Sequence, residues 1–358
     1  MHSTNGHYRT LYPMSKPLNI ALASYGMSGK VFHAPLIAAH PNLKLAAVLQ
    51  RSSNTAHERY PEVTIARSFA ELIGNPTIDI VVVNTPNALH YPMARDALRA
   101  GKHVVLEKPF TATIDEGREL IELAEQLGLM LTVFHNRRLQ SGFNTAQKIL
   151  HEKRLGKINT FAVTIDRFRP APGPKKWKEE PGPGAGLLYD LGSHLLDECL
   201  ILFGLPQSVY ADLRIERDGA QTCDYFDVRL DYPGHKCLLK ASMLAREPAP
   251  AYVIHGDQGS YLKPLGDVQE ARLAAGMVPQ GANWADEAPH EWGHIHTDKG
   301  REAYPTVAGN YPLFYDNVYR HVVHGDTLLV QAEQALVTVG MIEVVERSAR
   351  ERACIELT

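Results

Sequence analysis

Short apolar runs alternate with amphipathic stretches between residues 18 and 140, and this alternation restricts the fold more than any other feature of the chain. The apolar runs contain mostly Val, Ile, Leu and Ala, as in LNIALA, LKLAAVL, DIVVV, HVVL and LMLTV. Strands that lack a polar face are typical of a parallel sheet with helices on both sides. We therefore predict a doubly wound α/β domain over residues 18–140, with a ligand crevice at the carboxyl ends of its strands.

The remaining sequence has a different rhythm, and 358 residues are more than one compact core usually holds. A segment rich in Pro and Gly spans residues 170–186, and β-rich stretches follow it. Turn signals separate these stretches at residues 232–234 (Tyr-Pro-Gly) and 256–259 (Gly-Asp-Gln-Gly). We predict that residues 141–358 form a second, α+β domain with a mostly antiparallel sheet and a long amphipathic helix near its end.

Charge, apolar content and cysteine usage narrow the class of protein. The chain has 37 Lys and Arg residues, 40 Asp and Glu residues and a formal net charge of −3, so we expect neither nucleic acid nor a membrane surface as a partner. No apolar run approaches the roughly 20 residues of a transmembrane helix. Residues 1–17 lack the apolar centre of a signal peptide and are predicted to be a loose extension. The four cysteines form no C-x-x-C pair, which favours reduced thiols in a cytoplasmic protein: Cys199, Cys223, Cys237 and Cys354.

The stretch HEWGHIH brings three histidines close together: His290, His294 and His296. Their spacing does not match that of zinc ligands. The Asp-Lys-Gly sequence that follows at residues 298–300 indicates the turn of a surface hairpin. We therefore predict no metal site.

The first strand-to-helix turn has the sequence SYGMSG, which is close to the dinucleotide-binding pattern G-x-G-x-x-G but has Ser24 in the first position. Gly26 would let the backbone approach a pyrophosphate, and Gly29 would let the following helix pack closely on the strand. The N–H groups at the start of that helix would then bind the phosphates. A plain turn with two glycines is the alternative.

The end of the second predicted strand bears on which nicotinamide nucleotide is bound. An Asp or Glu is typical where a free ribose 2′-hydroxyl is recognised, but the sequence here is Gln-Arg-Ser, with Arg51 and Ser52. The guanidinium group of Arg51 is suited to a 2′-phosphate, and Ser52 adds a hydroxyl. We therefore favour NADP, with NAD as the alternative. A solvated loop arginine would explain the same residues without any nucleotide.

Two further turns follow predicted strands at the same edge. The stretch TPNALH places Thr85, Pro86 and Asn87 there, and Asn87 and His90 could bind cofactor hydroxyls. A turn followed by a helix cap would use the same residues. The stretch EKP places Lys108 at the edge, where its ammonium group could bind a carbonyl or hydroxyl oxygen, and the following peptide bond is a candidate for the cis form. An ordinary strand-ending turn is the alternative for EKP.

The stretch YDLGSHLLDECL is the strongest indication of catalysis. Asp190, His194 and Asp197 have the spacing i, i+4, i+7, so a helix would place them on one face. The leucines beside them indicate a buried helix, in which ionisable groups are costly unless they have a function. A carboxylate one turn away can orient His194, and histidine is the side chain best matched to proton transfer near neutral pH. An exposed amphipathic helix is the alternative.

Taken together, the motifs SYGMSGKVFHAP, TPNALH, EKP and YDLGSHLLD resemble those of the Gfo/Idh/MocA family of NAD(P)-dependent sugar and cyclitol oxidoreductases. The stretches FHNRR, DRFRP, VIHGDQGSY and GNYPLFY are similar to a subgroup that contains NADP-preferring scyllo-inositol dehydrogenases. The resemblance covers nearly the whole chain from Leu18. It implies an N-terminal Rossmann domain, a C-terminal domain with an open sheet, and a homodimer or homotetramer.

The resemblance also implies a reaction and a set of roles. Lys108 would bind and polarise the reacting oxygen, His194 would exchange the proton, and Asp190 would orient His194 and contact a substrate hydroxyl. A hydride would pass between NADP(H) and a secondary alcohol or ketone of a polyol, cyclitol or sugar. The implied cofactor-binding residues are Tyr25, Gly26, Met27, Gly29, Lys30, Arg51, Ser52, Thr85, Pro86, Asn87, His90, Glu107, Lys108, Asn136 and Trp177. The implied substrate-binding residues are Lys108, Tyr189, Asp190, His194 and Tyr315.

A catalytically silent regulator of the same fold is the alternative function. Such a protein would bind a nucleotide and a sugar without turnover, and we would expect it to lack the lysine or the histidine. This sequence has both Lys108 and His194, which favours an enzyme.

Overall fold

A computed structural model describes residues 17–281 and 283–357 and contains two β-sheets. The predicted N-terminal extension over residues 1–17 lies outside the described residues, apart from Pro17. Within the described ranges, no helix is both long enough and apolar enough to cross a membrane.

The first sheet consists of the strands β1 (Leu18–Leu22), β2 (Leu43–Leu49), β3 (Thr64–Ala66), β4 (Ile80–Val83), β5 (His103–Leu106) and β6 (Leu131–Val133). All neighbouring pairs are parallel, in the order β3-β2-β1-β4-β5-β6. This is the strand order of a Rossmann fold, so the prediction of a doubly wound sheet is confirmed. The central strand β4 is buried at all four positions, which explains its continuous apolar run. The strand β3 was not predicted, because three residues are too few to form a periodic pattern.

The helices α1 (Ala34–Ala39), α2 (Phe69–Gly74), α3 (His90–Arg99) and α4 (Ile114–Leu127) connect these strands. Local sequence sets both ends of α4. The side chain of Thr113 accepts a hydrogen bond from the N–H of Glu116 and caps the first turn, and Gly128 ends the helix with a φ of 63°. A π-helical turn over Gly29–His33 precedes α1, so the predicted first helix begins with a wide turn.

The second sheet consists of β7 (Ile158–Asp166), β8 (Ser208–Arg214), β9 (Tyr225–Tyr232), β10 (His235–Ser242), β11 (Tyr252–Gly256), β12 (Gly259–Lys263), β13 (Gly293–Thr297), β14 (Gly300–Tyr304) and β15 (Ile355–Glu356). Their order is β14-β13-β12-β11-β7-β10-β9-β8-β15. The pair β7–β10 is parallel and the other pairs are antiparallel, so the predicted mostly antiparallel sheet is confirmed. The three predicted turns join β9 to β10, β11 to β12 and β13 to β14.

The helices of the second half of the chain are α5 (Ser141–Glu152), α6 (Lys176–Glu179), α7 (Ser193–Phe203), α8 (Val268–Ala274), α9 (Pro312–His324) and α10 (Ala332–Glu351). The buried side of α9, including Phe314, packs in the same core as the first sheet. In α10, Ala335 belongs to that core, whereas Ile342 belongs to the core of the second sheet. A domain boundary at residue 140 remains a prediction, and packing by α9 and α10 crosses it.

Candidate active site

The carboxyl ends of the parallel strands bring several predicted residues to one edge of the first sheet. Ser24 follows β1, Arg51 follows β2, Thr85 follows β4, Lys108 follows β5, and His135 follows β6. Because these strands are neighbours that run in the same direction, the turns after them lie side by side. The edge is therefore the place where a nucleotide and a substrate could meet.

The SYGMSG turn at this edge is tightly packed. A Cβ atom at Gly29 would lie 2.5 Å from the carbonyl oxygen of Ser24, so a side chain has no room there. This is the close approach that the sequence predicts for Gly29. Ser24 Oγ accepts a hydrogen bond from the N–H of Gly26 at 3.2 Å, so the serine at the first position supports the turn. Tyr25 is buried in the turn, and Lys30 Nζ lies 5.5 Å from the centre of its ring.

Two buried polar atoms beside this turn, Asn84 Oδ1 and Thr85 Oγ1, have no hydrogen-bond partner within residues 17–281 and 283–357. Asn84 is held in place because its Nδ2 donates to the carbonyl oxygen of Ser24 at 2.9 Å. Buried polar groups are normally paired, so these two oxygens are available to a ligand at the edge of the sheet. Sequence reasoning did not select Asn84, although it directly precedes the predicted Thr85.

Arg51 and Ser52 are exposed after β2. Within the described part of the chain, Arg51 forms no hydrogen bond and no ion pair. The loop that positions it is ordered by its neighbours: Gln50 Oε1 accepts from the N–H of Ala56 at 2.9 Å, and Arg67 donates to the carbonyl of Gln50 at 2.7 Å. The guanidinium group of Arg51 is therefore free to bind an anion, as the 2′-phosphate hypothesis requires.

The residues of the TPNALH turn bond to other turns of the protein. His90 is 1% exposed, and its ring nitrogens lie 2.8 Å and 3.0 Å from the carbonyl oxygens of Pro109 and Thr85. The ring thus links two turns, and a role of His90 in binding a cofactor hydroxyl remains a prediction. Asn87 Nδ2 donates to the carbonyl of Gly184 at 2.6 Å, which connects this turn, with Pro86, to the segment of residues 170–186, here called the strap.

Lys108 lies where the sequence places it, and the peptide bond to Pro109 is cis as predicted. Its Nζ donates to Asp190 twice, to the backbone carbonyl at 2.6 Å and to the carboxylate Oδ1 at 3.2 Å. Lys178, on the strap, donates to the same Oδ1 at 2.6 Å. Burial alone would raise the pKa of Asp190, but the charges of Lys108 and Lys178 outweigh it and hold this pKa well below 3.8.

His194 is close to this group but is not oriented by Asp190. The Asp190 carboxylate bonds to the two lysines, and His194 Nδ1 has no hydrogen-bond partner among the described residues. His194 Nε2 also forms no hydrogen bond within the described residues, and unlike Nδ1 it is not fully buried, so it is the nitrogen that a ligand can reach. Burial lowers the pKa of His194 well below 6.5, and the charge of Lys108 lowers it further.

Asp197, the third residue of the predicted face, is not part of the crevice. Its two carboxylate oxygens accept hydrogen bonds from Arg138 at 2.8 Å and 2.6 Å. The reason is local: Asp190 lies in a π-helical turn over Leu188–Gly192, whereas Asp197 lies in the α-helix that follows. The wider turn changes the angle between the side chains, so a spacing derived from 3.6 residues per turn does not apply across it.

Glu107 connects the EKP turn to the interior. Its Oε1 accepts from His33 Nε2 at 2.9 Å, and His33 Nδ1 accepts from the hydroxyl of Tyr315 at 2.7 Å. Burial would raise the pKa of Glu107, but the hydrogen bond from His33 and the charge of Lys108 lower it. Tyr315 is completely buried and its hydroxyl is paired with His33, and its contact with a substrate remains a prediction.

Tyr189 is a second predicted substrate-binding residue, and this role also remains a prediction. Its hydroxyl donates to Glu346 on α10 at 3.4 Å, away from the lysines that bind Asp190. The side chain is therefore part of the packing between the π-helical turn and α10. Asp190, its neighbour in sequence, is the polar group of this turn that reaches the crevice.

The remaining predicted cofactor residues lie around the edge of the crevice. Met27 is 51% exposed at the tip of the SYGMSG turn. Asn136 follows β6, and its Nδ2 donates to the hydroxyl of Tyr311 at 3.4 Å. Trp177 lies on the strap and is exposed, with Lys178 Nζ at 5.2 Å from its ring centre. These positions are compatible with the predicted roles, which remain predictions.

Sequence reasoning missed Lys178 because the strap has no periodic pattern, and no neighbouring residue marks it as functional. Arg217 holds this part of the strap in place. Its guanidinium donates to Glu179 at 2.8 Å and to the buried Asp224 at 2.8 Å, and its side chain is 4% exposed. Arg217, which lies between β8 and β9, thus ties the residue next to Lys178 to the second half of the chain.

The three histidines of HEWGHIH lie on and just before β13, which forms a hairpin with β14: His290, His294 and His296. No group of three or more His, Cys, Asp or Glu side chains that could hold a metal ion occurs among residues 17–281 and 283–357.

Comparison with known proteins identifies two family models in this chain. Residues 18–135 match the model described as an oxidoreductase family, NAD-binding Rossmann fold, of the GFO_IDH_MocA group. Residues 147–357 match the C-terminal alpha/beta domain of the same oxidoreductase family.

Individual relatives cover almost the full chain. The uncharacterized oxidoreductase YdgJ of Escherichia coli is 41% identical, over 96% of this chain and 99% of its own length. The scyllo-inositol 2-dehydrogenase (NADP(+)) IolW of Bacillus subtilis is 35% identical, over 95% of this chain and 96% of its own. A crystal structure from Bacteroides fragilis superposes with a TM-score of 0.87 at 43% identity, covering 96% of this chain and 100% of that one.

Proposed function

Because the chain belongs to the Gfo/Idh/MocA family of oxidoreductases, with an NAD-binding Rossmann domain, we propose that it transfers a hydride between NADP(H) and a secondary alcohol or ketone of a polyol, cyclitol or sugar. The observation that supports this most directly is the meeting of Lys108, Lys178 and Asp190 beside His194, at the carboxyl edge of the sheet. Such a group can bind a hydroxyl oxygen and accept its proton.

The residues at the edge fit a dinucleotide. Gly29 keeps the SYGMSG turn compact, and the unpaired oxygens of Asn84 and Thr85 are available to it. Arg51 would bind a 2′-phosphate, since it is exposed after β2 and has no partner within the described residues. We therefore favour NADP over NAD. Bound NADP would supply the hydride acceptor for alcohol oxidation or, when reduced, the hydride donor for ketone reduction.

Lys108 would bind the reacting oxygen. An ammonium group has three N–H donors, and Asp190 accepts from Lys108 at two atoms, so one donor remains for the substrate. Its positive charge would stabilise the negative charge that develops on the oxygen. Lys178 would hold Asp190 in place when Lys108 turns towards a substrate, because it bonds to the same carboxylate oxygen.

His194 would take the hydroxyl proton at Nε2, which is not fully buried. The pKa of this ring is lowered by burial, so the ring is neutral near pH 7 and can act as a base. Asp190 Oδ2 accepts no hydrogen bond from any described residue and would accept one from a second substrate hydroxyl. This arrangement favours a substrate with hydroxyls on adjacent carbons, as polyols, cyclitols and sugars have. The similarity to IolW, named for scyllo-inositol and NADP, makes a scyllo-inositol-like cyclitol the first candidate.

The test begins with a fluorescence titration of the purified protein with NADPH and with NADH. We expect saturable binding of both, with NADPH bound more tightly. A panel of polyols, cyclitols and sugars is then incubated with protein and NADP, and nicotinamide reduction is followed by absorbance. Turnover of at least one member supports the proposal. Tight binding of the nucleotide without turnover of any member would instead support a catalytically silent regulator.

We also propose that the outer face of the second sheet joins copies of this chain into a homodimer or homotetramer. The strand β9 alternates strictly, with Phe226 and Val228 buried and Asp227 and Arg229 exposed, so one face of the sheet is left open. Tyr210, on the neighbouring β8, is 47% exposed. Light scattering of the native protein and of Tyr210→Glu tests this: the variant should shift towards the monomer, and a monomeric native protein would contradict the proposal.

The cytoplasmic location also remains a proposal. All four cysteines are free thiols, which fits a reducing compartment. Fractionation of the cells that produce the protein would test it, and recovery outside the cytoplasmic fraction would contradict it.

A further inference from the structure

His135 is a buried histidine beside the crevice that the proposed mechanism does not use. It follows β6 and is 2% exposed. Neither of its ring nitrogens has a hydrogen-bond partner among residues 17–281 and 283–357. Buried polar groups are paired in the great majority of cases, so an imidazole with two unpaired nitrogens calls for an explanation.

The neighbour that could stabilise a charge on His135 is Asp197. Its Oδ2 lies 3.6 Å from His135 Nδ1, and its side chain is 3% exposed. Arg138 bonds to both oxygens of this carboxylate, at 2.8 Å and 2.6 Å, and so fixes its orientation. A fixed carboxylate at this distance favours the protonated form of an imidazole.

His194 is the other histidine of this cluster. The ring centres of His135 and His194 are 6.4 Å apart, and their planes are nearly perpendicular, at 83°. His194 Nδ1 is also buried without a partner in the described part of the chain, whereas Nε2 is not fully buried. The two rings form no direct hydrogen bond, so a proton would have to pass between them through a bridging water, which is nearly as favourable as a direct hydrogen bond. A path thus leads from the crevice through His194 to His135 and Asp197.

We propose that His135 is a positioning residue that relays the proton of His194, an inference that rests on the proposed function. When a substrate hydroxyl is oxidised, its proton bonds to His194 Nε2, and the proton on Nδ1 passes to His135 through a bridging water. The His135 imidazolium is stabilised by Asp197 until it releases the proton to water. In ketone reduction the same transfers run in reverse. The relay moves protons only, and the electron pair of the broken C–H bond leaves with the hydride.

The surroundings of the two rings suit brief rather than permanent protonation. Burial lowers the pKa of His135 to about 4, although Asp197 raises it, and burial lowers the pKa of His194 as well. Both rings are therefore neutral at pH 7 and can accept a proton. The charged groups that face His135 are Asp197, Arg138, Lys108 and Glu107, and those that face His194 are Lys108, Arg137 and Lys178.

The kinetic test uses His135→Phe, which keeps an aromatic ring, and His135→Gln, which keeps a polar side chain. We expect kcat to fall about tenfold or more in both, which is less than the ~10²–10⁴-fold typical of a primary acid or base because His194 remains. KM should change little. The solvent deuterium isotope effect on kcat should rise.

The control is His235→Phe, at the turn between β9 and β10. Its Nε2 is also buried without a partner in the described residues, but its ring stacks on Tyr232 at 4.8 Å and belongs to the second sheet. This variant should keep the native kcat and isotope effect. A loss of kcat in His135→Phe without a larger isotope effect would mean a packing role and would overturn the relay.

A second measurement does not depend on turnover. Nitrogen-15 NMR of histidine-labelled protein reports which nitrogen of His194 holds the proton in the resting state. The relay requires the proton on Nδ1, because Nε2 must be free to accept the substrate proton. A resting Nε2–H tautomer would overturn it even if the variants do not fold.

A native protein that binds NADPH but oxidises no polyol would refute the proposed function and the relay together, whereas native turnover with unchanged variants would refute the relay alone.

Discussion

Replacing Arg51 by alanine should weaken the binding of NADPH and leave the binding of NADH unchanged. The side chain is exposed and makes no hydrogen bond or ion pair within the described residues, so its removal breaks no contact inside the protein. Substitutions at such positions usually change the free energy of unfolding by no more than about 0.5 kcal/mol. Any large effect of Arg51→Ala on binding would therefore come from the nucleotide.

The size of the effect follows from the lost contact. Hydrogen bonds to charged groups contribute about 1.5–3 kcal/mol, which corresponds to a roughly 10- to 150-fold increase in the Kd for NADPH. Because Arg51 is exposed, salt screens its interaction with a phosphate, so the effect should decrease as the ionic strength rises. NADH has no 2′-phosphate, and its Kd should stay within about twofold of the native value.

The assay is a titration of nicotinamide fluorescence with each nucleotide at low and at physiological salt. Arg67→Ala is a matched control in the same loop, because Arg67 donates to the carbonyls of Gln50 at 2.7 Å and Ser53 at 2.8 Å. The loss of the Arg67 side chain should loosen the loop and weaken the binding of NADPH and NADH to the same extent. If Arg51→Ala also weakened the binding of both nucleotides equally, Arg51 would not recognise the 2′-phosphate and the prediction would be refuted.

Three further predictions follow from the site and from the strap. Lys108→Met should lower kcat by ~10²–10³-fold with little change in the Kd for NADPH, because it removes a donor to the reacting oxygen. Stopped-flow kinetics would measure the rate of hydride transfer, and an unchanged rate would contradict this prediction. His194 must be neutral to act as the base in alcohol oxidation, and burial and the charge of Lys108 lower its pKa. We therefore expect kcat/KM to fall with decreasing pH only below pH 6.5. A fall at or above pH 6.5 that is absent in His194→Ala would contradict this. Arg217→Met leaves the buried Asp224 without its ion pair and should reduce the free energy of unfolding by about 3 kcal/mol. This value is at the lower end of the range for breaking a buried ion pair, because two backbone N–H groups still donate to Asp224. Urea denaturation measures this, with the exposed Arg214→Ala as a control that should keep the native midpoint; equal midpoints for both variants would refute it.

Local sequence patterns predicted the strands of the second sheet less completely than those of the first sheet. The strands β7 to β12 and their turns were recognisable because one buried face and glycine-containing turns leave a local signal, as in β9. The return of α9 to the first sheet could not be predicted, because the periodicity of a helix shows that one face is buried but not which sheet covers it.

Which side chains reach the crevice was also beyond local patterns. His90 and Tyr315 have residue types and positions that suit ligand binding, yet both are buried with their polar atoms paired to the protein. The spacing of Asp190 and Asp197 predicts that they lie on one helix face, but Asp197 bonds to Arg138 because a π-helical turn precedes the α-helix. The partners of Tyr315 and Asp197 lie far away in the sequence, and no local pattern indicates them.

The sequence by itself determined the parallel sheet and the placement of Lys108 at its carboxyl edge. A strand that is buried on both faces must be apolar along its length, and a polar residue directly after it must lie at the edge, so both features are visible over a few residues. Only the tertiary structure decided that Lys178, from a strap without periodic pattern, meets Lys108 at Asp190, and that His135 lies behind His194. Such contacts join residues from different elements, and their geometry is set by how those elements pack rather than by any local pattern.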